Sequence, residues 1–140
     1  NTVGPRQTGR YGMVLPRFVE AAKAGEPLRV FGDGQQSRCF CHVSDTVEAL
    51  LHLAKCDRAP GGVFNIGGTE EVSILNLAKR VIELTVSTSK IELVPYAEAY
   101  DSGFEDMQRR KPVVDKLEAF TGFRPATPLD EIVRSTAGLA

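Results

Sequence analysis

Val30-Phe31-Gly32-Asp33-Gly34-Gln35-Gln36-Ser37-Arg38-Cys39-Phe40-Cys41-His42-Val43-Ser44-Asp45 is the stretch on which the reading of this chain turns. Leu28 to Phe31 is a short apolar strand, and Gly32-Asp33-Gly34 ends it in a turn. Arg38 to Val43 alternates and carries aromatic and cysteine side chains, which predicts a second strand. Ser44 then reads as the N-cap of a helix whose apolar stripe is Val47, Leu50, Leu51 and Ala54. The unit is strand, glycine turn, strand, helix, with one arginine set between the two glycines and the helix.

Upstream, residues 1–12 (NTVGPRQTGRYG) read as a Gly/Pro/Arg-rich loop. Met13 to Ala24 places Leu15, Phe18, Val19 and Ala22 on one helical face, with Pro16 in the first turn and Gly25 as the stop. Downstream, Val63 to Ile66 reads as a brief strand ending at Gly67-Gly68. Ser73 caps a helix that buries Ile74, Leu77, Ala78, Val81 and Ile82. Ile91 to Val94 is a further strand, followed by a polar loop from Tyr96 to about Arg110. Val113 to Thr121 is a short helix stopped by Gly122, and Thr127-Pro128 opens a last helix with Leu129, Ile132 and Val133 inward. Val86 follows the Ser73 helix; a valine takes positive φ only at a cost, so that end is expected to be built without one.

The chain has 140 residues and a net charge of −1, with 42% apolar and 25% charged side chains. That is the composition of one globular domain, 1–140, with no field to recruit nucleic acid or an anionic membrane. Apolar runs are too short for a membrane span. The three cysteines, Cys39, Cys41 and Cys56, fit a reduced, cytoplasmic setting. Cys39-x-Cys41-His42 lacks the second ligand pair of a structural zinc site, so the thiols read as structural and no metal is expected. The chain opens at Asn1 without a methionine, inside a strand-to-loop transition, as expected of a piece of a longer protein.

Three ordered stretches carry a resemblance: Asn1-Thr2-Val3-Gly4-Pro5-Arg6-Gln7, the segment from Val30 to Asp45, and Phe64-Asn65-Ile66-Gly67-Gly68. A fourth is Phe104 to Pro112 (FEDMQRRKP) with the Gly122-Phe123-Arg124-Pro125 ending. Together they resemble the C-terminal part of the extended short-chain dehydrogenase/reductase family, the NAD-dependent nucleotide-sugar epimerases, dehydratases and decarboxylases. The resemblance implies an α/β fold: the C-terminal portion of the extended short-chain dehydrogenase architecture, a few short strands with about five helices, its Rossmann half missing. It implies a nucleoside-diphosphate-sugar substrate, and NAD as cofactor of the intact family though not bound by this chain. The most similar activity it implies is that of a UDP-sugar 4-epimerase. The Arg-Arg-Lys-Pro tail looks more like the decarboxylase branch.

The resemblance also implies substrate-binding roles. Asn1 would contact the diphosphate or sugar, and Arg38 a phosphate oxygen. Either Arg109 or Arg110 would close on the pyrophosphate. Val30 and Phe31 would line the base pocket, with Val14 touching the nucleotide from the opening helix. The chemistry is consistent, since planar guanidinium groups pair with phosphate oxygens and an aromatic ring beside a glycine turn offers a flat wall. Relatives of this family often carry an acidic residue where Cys39 stands, which leaves in question the ion pair that would orient this strand.

The catalytic pattern of the family is absent. Four residues after Tyr11, Tyr96 and Tyr100 stand Leu15, Tyr100 and Phe104, and none is the lysine that would lower a phenol's pKa. Gly32-Asp33-Gly34 has no third glycine and no following helix, so no dinucleotide cradle is expected. The chain is therefore expected to be inactive alone, with no catalytic residues of its own, and to associate with an N-terminal Rossmann half or with itself. A free-standing, non-enzymatic binding or interaction module derived from the same family is the alternative.

Overall fold

A computed structural model of the chain describes residues 1–7, 9, 13–96 and 107–139. In chain order these form β1 (Thr2–Val3), α1 (Val14–Ala24), β2 (Leu28–Phe31), β3 (Ser37–Cys39), β4 (Cys41–His42) and α2 (Val43–Ala54). Then follow β5 (Glu71–Ser73), α3 (Ile74–Leu84), β6 (Ile91–Val94), β7 (Arg109–Arg110), α4 (Asp115–Thr121) and α5 (Leu129–Ala137). The fold is α/β, with five helices among the described residues and strands of at most four residues. None of these helices is long and apolar enough to cross a membrane.

The strands fall into three small sheets. β1 pairs with β4 and β2 with β6, both parallel. In the third, β3 is central, antiparallel to β5 and parallel to β7. The core lies where α1, α3 and α5 close over β2, and Leu15, Leu28, Leu77 and Val133 are each fully buried there. Each such side chain contributes about 1.5–3 kcal/mol of transfer free energy.

Local chemistry explains most boundaries. In α1, Leu15, Phe18, Val19 and Ala22 are buried at helical spacing, and Gly25 ends the helix at φ 71°. Ser73 Oγ accepts the Asn76 N–H at 3.2 Å, the expected cap of α3. β2 and β6 keep the residues their patterns indicated.

Several expectations are corrected. The strand read from Arg38 to Val43 breaks at Phe40, because β3 and β4 belong to different sheets. α2 starts one residue before Ser44; His42 is its cap, its Nδ1 accepting the Ser44 N–H at 3.3 Å. His42 Nε2 reaches Ser135 Oγ at 2.9 Å, so this cap also ties α2 to α5. Val63 to Ile66 joins no sheet; Lys116 donates to the Val63 carbonyl at 2.9 Å and Asn65 to that of Val113 at 3.2 Å. α4 begins at Asp115 rather than Val113.

α5 begins at Leu129, with Pro128 before it and no cap side chain of its own. The N–H that opens the helix and the one just before its cap find distant carboxylates instead. Asp45 accepts from Thr127 and Glu70 from Leu129, each at 3.0 Å.

Val86 overturns its expectation outright: it sits at φ 51°. The Ser87 N–H returns to the Ile82 carbonyl at 3.0 Å, and Ser87 Oγ donates to Ala22 of α1 at 2.7 Å. This closure holds the residue between them left-handed whatever its side chain. The two- and three-residue strands β1, β5 and β7 lie in segments without strand periodicity, and most of the polar loop, residues 97–106, lies outside the described residues.

Candidate functional site

A cleft of about 530 Å³ runs along the outer side of α1, between that helix, the end of β2 and the β3–β7 edge. Strand alternation decides which β2 side chains reach it. Leu28 and Val30 point into the core and are fully buried, whereas Arg29 and Phe31 face the cleft. Val30 is thus core rather than wall, a correction to the reading that gave it the same place as Phe31.

The glycine turn after β2 has a steric role. Gly32 sits at φ 68°, and a Cβ there would run into the ring of Tyr96, which also lines the cleft. Arg17, one turn after Val14 on α1, holds its guanidinium 5.4 Å from the centroid of the Phe31 ring. Gln36 is buried and donates from Nε2 to the Phe31 carbonyl at 3.0 Å, fixing the strand end behind that ring. An aromatic corner is thereby held from three sides.

The opposite end is polar. Arg38 is 7% exposed, and its Nη1 donates to the carbonyls of Ser37 and Met107, each at 2.7 Å. Asn1 donates from Nδ2 to the Cys39 carbonyl at 3.1 Å and accepts at Oδ1 from Arg110 Nη2 at 2.9 Å. Arg38 and Arg110 are direct partners across the parallel β3–β7 pair, which puts both on one face. Four arginines (Arg17, Arg29, Arg38, Arg110) line the cleft against two glutamates, Glu20 and Glu26, a local positive excess in a chain of net charge −1.

Of the seven candidates, Asn1, Val14, Phe31, Arg38 and Arg110 line this one cleft. Arg109 does not. It projects from the other face of β7 and forms a two-pronged pair with Glu71, Nε to Oε1 at 2.7 Å and Nη2 to Oε2 at 2.8 Å. Ser37 Oγ donates to the same carboxylate at 2.6 Å. Arg109 first, then Ser37, holds the Glu71 carboxyl down at about 2. Cys39 shares that outer face, buried, and burial followed by the Glu71 charge pushes its thiol up. The ion pair that Cys39 itself cannot make is supplied on that face by Glu71.

Arg17, Gln36 and Tyr96 are cleft residues that sequence reasoning missed. Arg17 lies three residues after Val14 on the same helical face, so helical spacing from that residue was a sufficient signal. Tyr96 arrives from 64 residues after Gly32 in the sequence, and no local pattern announces it.

The cleft offers guanidinium groups and a carboxamide at one end and an aromatic wall at the other. Gly32-Asp33-Gly34 leads into β3, whereas the glycine turn of a dinucleotide cradle leads into a helix whose N-terminus receives the pyrophosphate.

Residues 1–67 match the NAD dependent epimerase/dehydratase family. The UDP-N-acetyl-alpha-D-glucosaminuronate decarboxylase of Bacillus cytotoxicus is 42% identical over 97% of this chain, which spans 42% of that protein. The UDP-glucuronic acid decarboxylase 4 of Arabidopsis thaliana is 40% identical over 92% of this chain and 27% of its own length. The solved structure of UDP-glucose 4-epimerase from Thermotoga maritima, with UDP-glucose, superposes with a TM-score of 0.85 at 30% identity, covering 99% of this chain and 42% of that one. The chain is thus similar over nearly its whole length to less than half of several UDP-sugar epimerases and decarboxylases.

Proposed function

We propose that this chain is the nucleotide-sugar-binding portion of an NAD-dependent UDP-sugar-modifying enzyme of the extended short-chain dehydrogenase family. The observation that carries this is the convergence of Asn1, Phe31, Arg38 and Arg110 on one cleft of about 530 Å³. A diphosphate would lie between Arg38 and Arg110, and the base against Phe31 and Val14. Among the reactions of the family we favour decarboxylation of a UDP-linked uronic acid, because the two sequence relatives named above are decarboxylases and the tail reads Arg109-Arg110-Lys111-Pro112. A second reading, 4-epimerisation, is supported by the structural likeness to the Thermotoga enzyme.

The oxidation and its NAD would reside in a Rossmann half not contained in these 140 residues, so the chain alone would be inactive. The apolar face of α2 supports such a partner: Val43, Val47, Leu50 and Leu51 are 40–54% exposed, and Ala49 is the helix's one buried residue. The same face would otherwise drive self-association. A cytoplasmic setting fits the three free thiols.

Calorimetric titration with UDP and UDP-glucuronic acid tests the reading. Binding is expected for both, and Arg38→Ala is expected to abolish it. No binding by the folded wild-type protein would leave the free-standing module as the better account.

A further inference from the structure

The cleft has a direction. The loop 25–27 joins the end of α1 to the start of β2, while Arg17, near the start of α1, meets Phe31 at the end of β2. Helix and strand therefore run in opposite senses, and moving along α1 past Val14 is moving along β2 from Phe31 back toward Arg29. The polar end lies the other way: Gln36, bonded to the Phe31 carbonyl, and then Arg38 follow Phe31 through the glycine turn.

The four arginines of the cleft differ in what they have left to give. Arg29 Nε lies 4.0 Å from Glu92, Arg38 donates to the Ser37 and Met107 carbonyls, and Arg110 meets Asn1. Arg17 has no hydrogen-bond or ion-pair partner among the described residues; its guanidinium only stands over the Phe31 ring. Its stem is nevertheless seated, because a Cβ at Gly9 would come within 2.8 Å of Arg17 Cγ. The nearest carboxylate on its helix, Glu20, accepts the Gly9 N–H at 3.0 Å. A guanidinium carries five N–H donors and no acceptor, so what Arg17 can still take is an acceptor.

A pyrimidine joined at N1 to a sugar that leads to the diphosphate end presents its position 4 at the opposite side, whichever way the ring is turned. Laid against Phe31, it points position 4 up the cleft, away from Arg38 and Arg110. Arg17 lies three residues beyond Val14 in that direction, about 4.5 Å along the helix. The base takes the place of the guanidinium on the Phe31 ring, and the displaced head, held at its stem, meets the far rim of the base. Uracil carries a carbonyl there and cytosine an amino group. The carbonyl accepts from the guanidinium, whereas the amino group sets donor against donor.

We infer that Arg17 is a specificity-determining residue: its guanidinium donates to the carbonyl at position 4 of a uracil lying on Phe31, and so selects a keto pyrimidine over cytosine. The inference rests on the nucleotide-binding reading above and adds to it the residue that reads the base. Lifting the guanidinium from Phe31 costs the same for either base, so that cost drops out of a ratio of affinities.

The test is calorimetric titration of the folded chain with UDP and CDP, for wild type, Arg17→Met, Arg17→Lys and Arg29→Met. Wild type is expected to bind UDP at least about tenfold more tightly than CDP, since a site that donates to a ligand group rejects the analogue without the acceptor. Arg17→Met should bring the two within about threefold, and Arg17→Lys, which keeps a donor, should retain part of the difference. Arg29→Met is expected to keep the wild-type ratio. A guanidinium acting only through its charge on the diphosphate would lower both affinities together and leave the ratio unchanged. Equal affinity of wild type for UDP and CDP, or a ratio that survives Arg17→Met, overturns the inference and leaves the nucleotide reading standing. A ratio lost in Arg29→Met and kept in Arg17→Met also overturns it. Binding of neither nucleotide by wild type overturns both.

Discussion

The Asn1 side-chain oxygen accepts a hydrogen bond from Arg110 Nη2 at 2.9 Å, joining residues 109 positions apart at the mouth of the cleft. Asn1 also donates to the Cys39 carbonyl, so one carboxamide bridges the end of β3 to the side chain of β7. Arg110→Ala is expected to weaken UDP about tenfold, the loss of one charge-assisted contact of about 1.5–3 kcal/mol partly offset by neighbouring arginines. Arg110→Lys should recover only part of the loss, because an ammonium lacks the planar guanidinium fork that pairs with phosphate oxygens. Titration calorimetry checks both; equal affinity of Arg110→Ala and wild type would remove Arg110 from the site.

Gly68 explains the second glycine of the Phe64-Asn65-Ile66-Gly67-Gly68 run. A Cβ at that position would overlap the Phe40 carbonyl, and backbone cannot yield as a side-chain tip does. Gly68→Ala is expected to destabilise the fold by about 2–3 kcal/mol or more, in the range of core overpacking. Gly122→Ala should act differently, because nothing lies within 4 Å of a Cβ there and only its φ of 70° opposes it. Urea midpoints of the two variants compare these costs; a milder effect for Gly68→Ala than for Gly122→Ala would contradict the steric account.

Val86 holds a left-handed conformation, φ 51°, with 89% of its surface exposed. The strain is worth about 1–2 kcal/mol for an L-residue, and little burial is lost on truncation. A glycine there gives back about 0.5–1 kcal/mol through greater freedom of the unfolded chain. Val86→Gly should therefore stabilise the protein by about 0.5–1 kcal/mol, seen as a raised thermal midpoint. A lowered midpoint would show that the valine side chain makes a contact that the strain conceals.

The Glu71–Arg109 pair has a pH signature. The Glu71 carboxyl is held at about 2 against an ordinary value of 4.5, chiefly by Arg109 and then by Ser37. A depressed carboxylate contributes its stabilisation in full above the unfolded value, and the contribution is lost as pH falls through the folded one. Protection of the Ser37 amide should thus persist from neutral pH to about 4.5 and fall away toward about 2. Glu71→Gln should show no step in that window. Exchange measured by NMR across this range is the check.

The sequence alone determined the parts that depend on neighbours along the chain. Helical spacing in α1 and α3, the Ser73 cap, and the glycine stops at Gly25 and Gly122 follow from local sterics and hydrogen bonding, which residue order controls directly. The ordered motifs also singled out Asn1, Phe31 and Arg38 as candidates through a family resemblance, and the structure brings the three to one cleft.

Tertiary structure decided what depends on partners far away in the chain. The short strands β1, β5 and β7 exist through pairing alone, since two or three residues carry no periodic signal. The Leu129 amide that opens α5 is met by Glu70 and that of Thr127 just before it by Asp45, and Val86 is forced left-handed by the closure around it. Val30 and Phe31 were separated by the side of β2 on which the core lies. The choice between Arg109 and Arg110 was likewise invisible in a sequence that shows two identical side chains. Strand alternation in the pairing of β7 with β3 set them on opposite faces, Arg110 beside Arg38 and Arg109 beside Ser37.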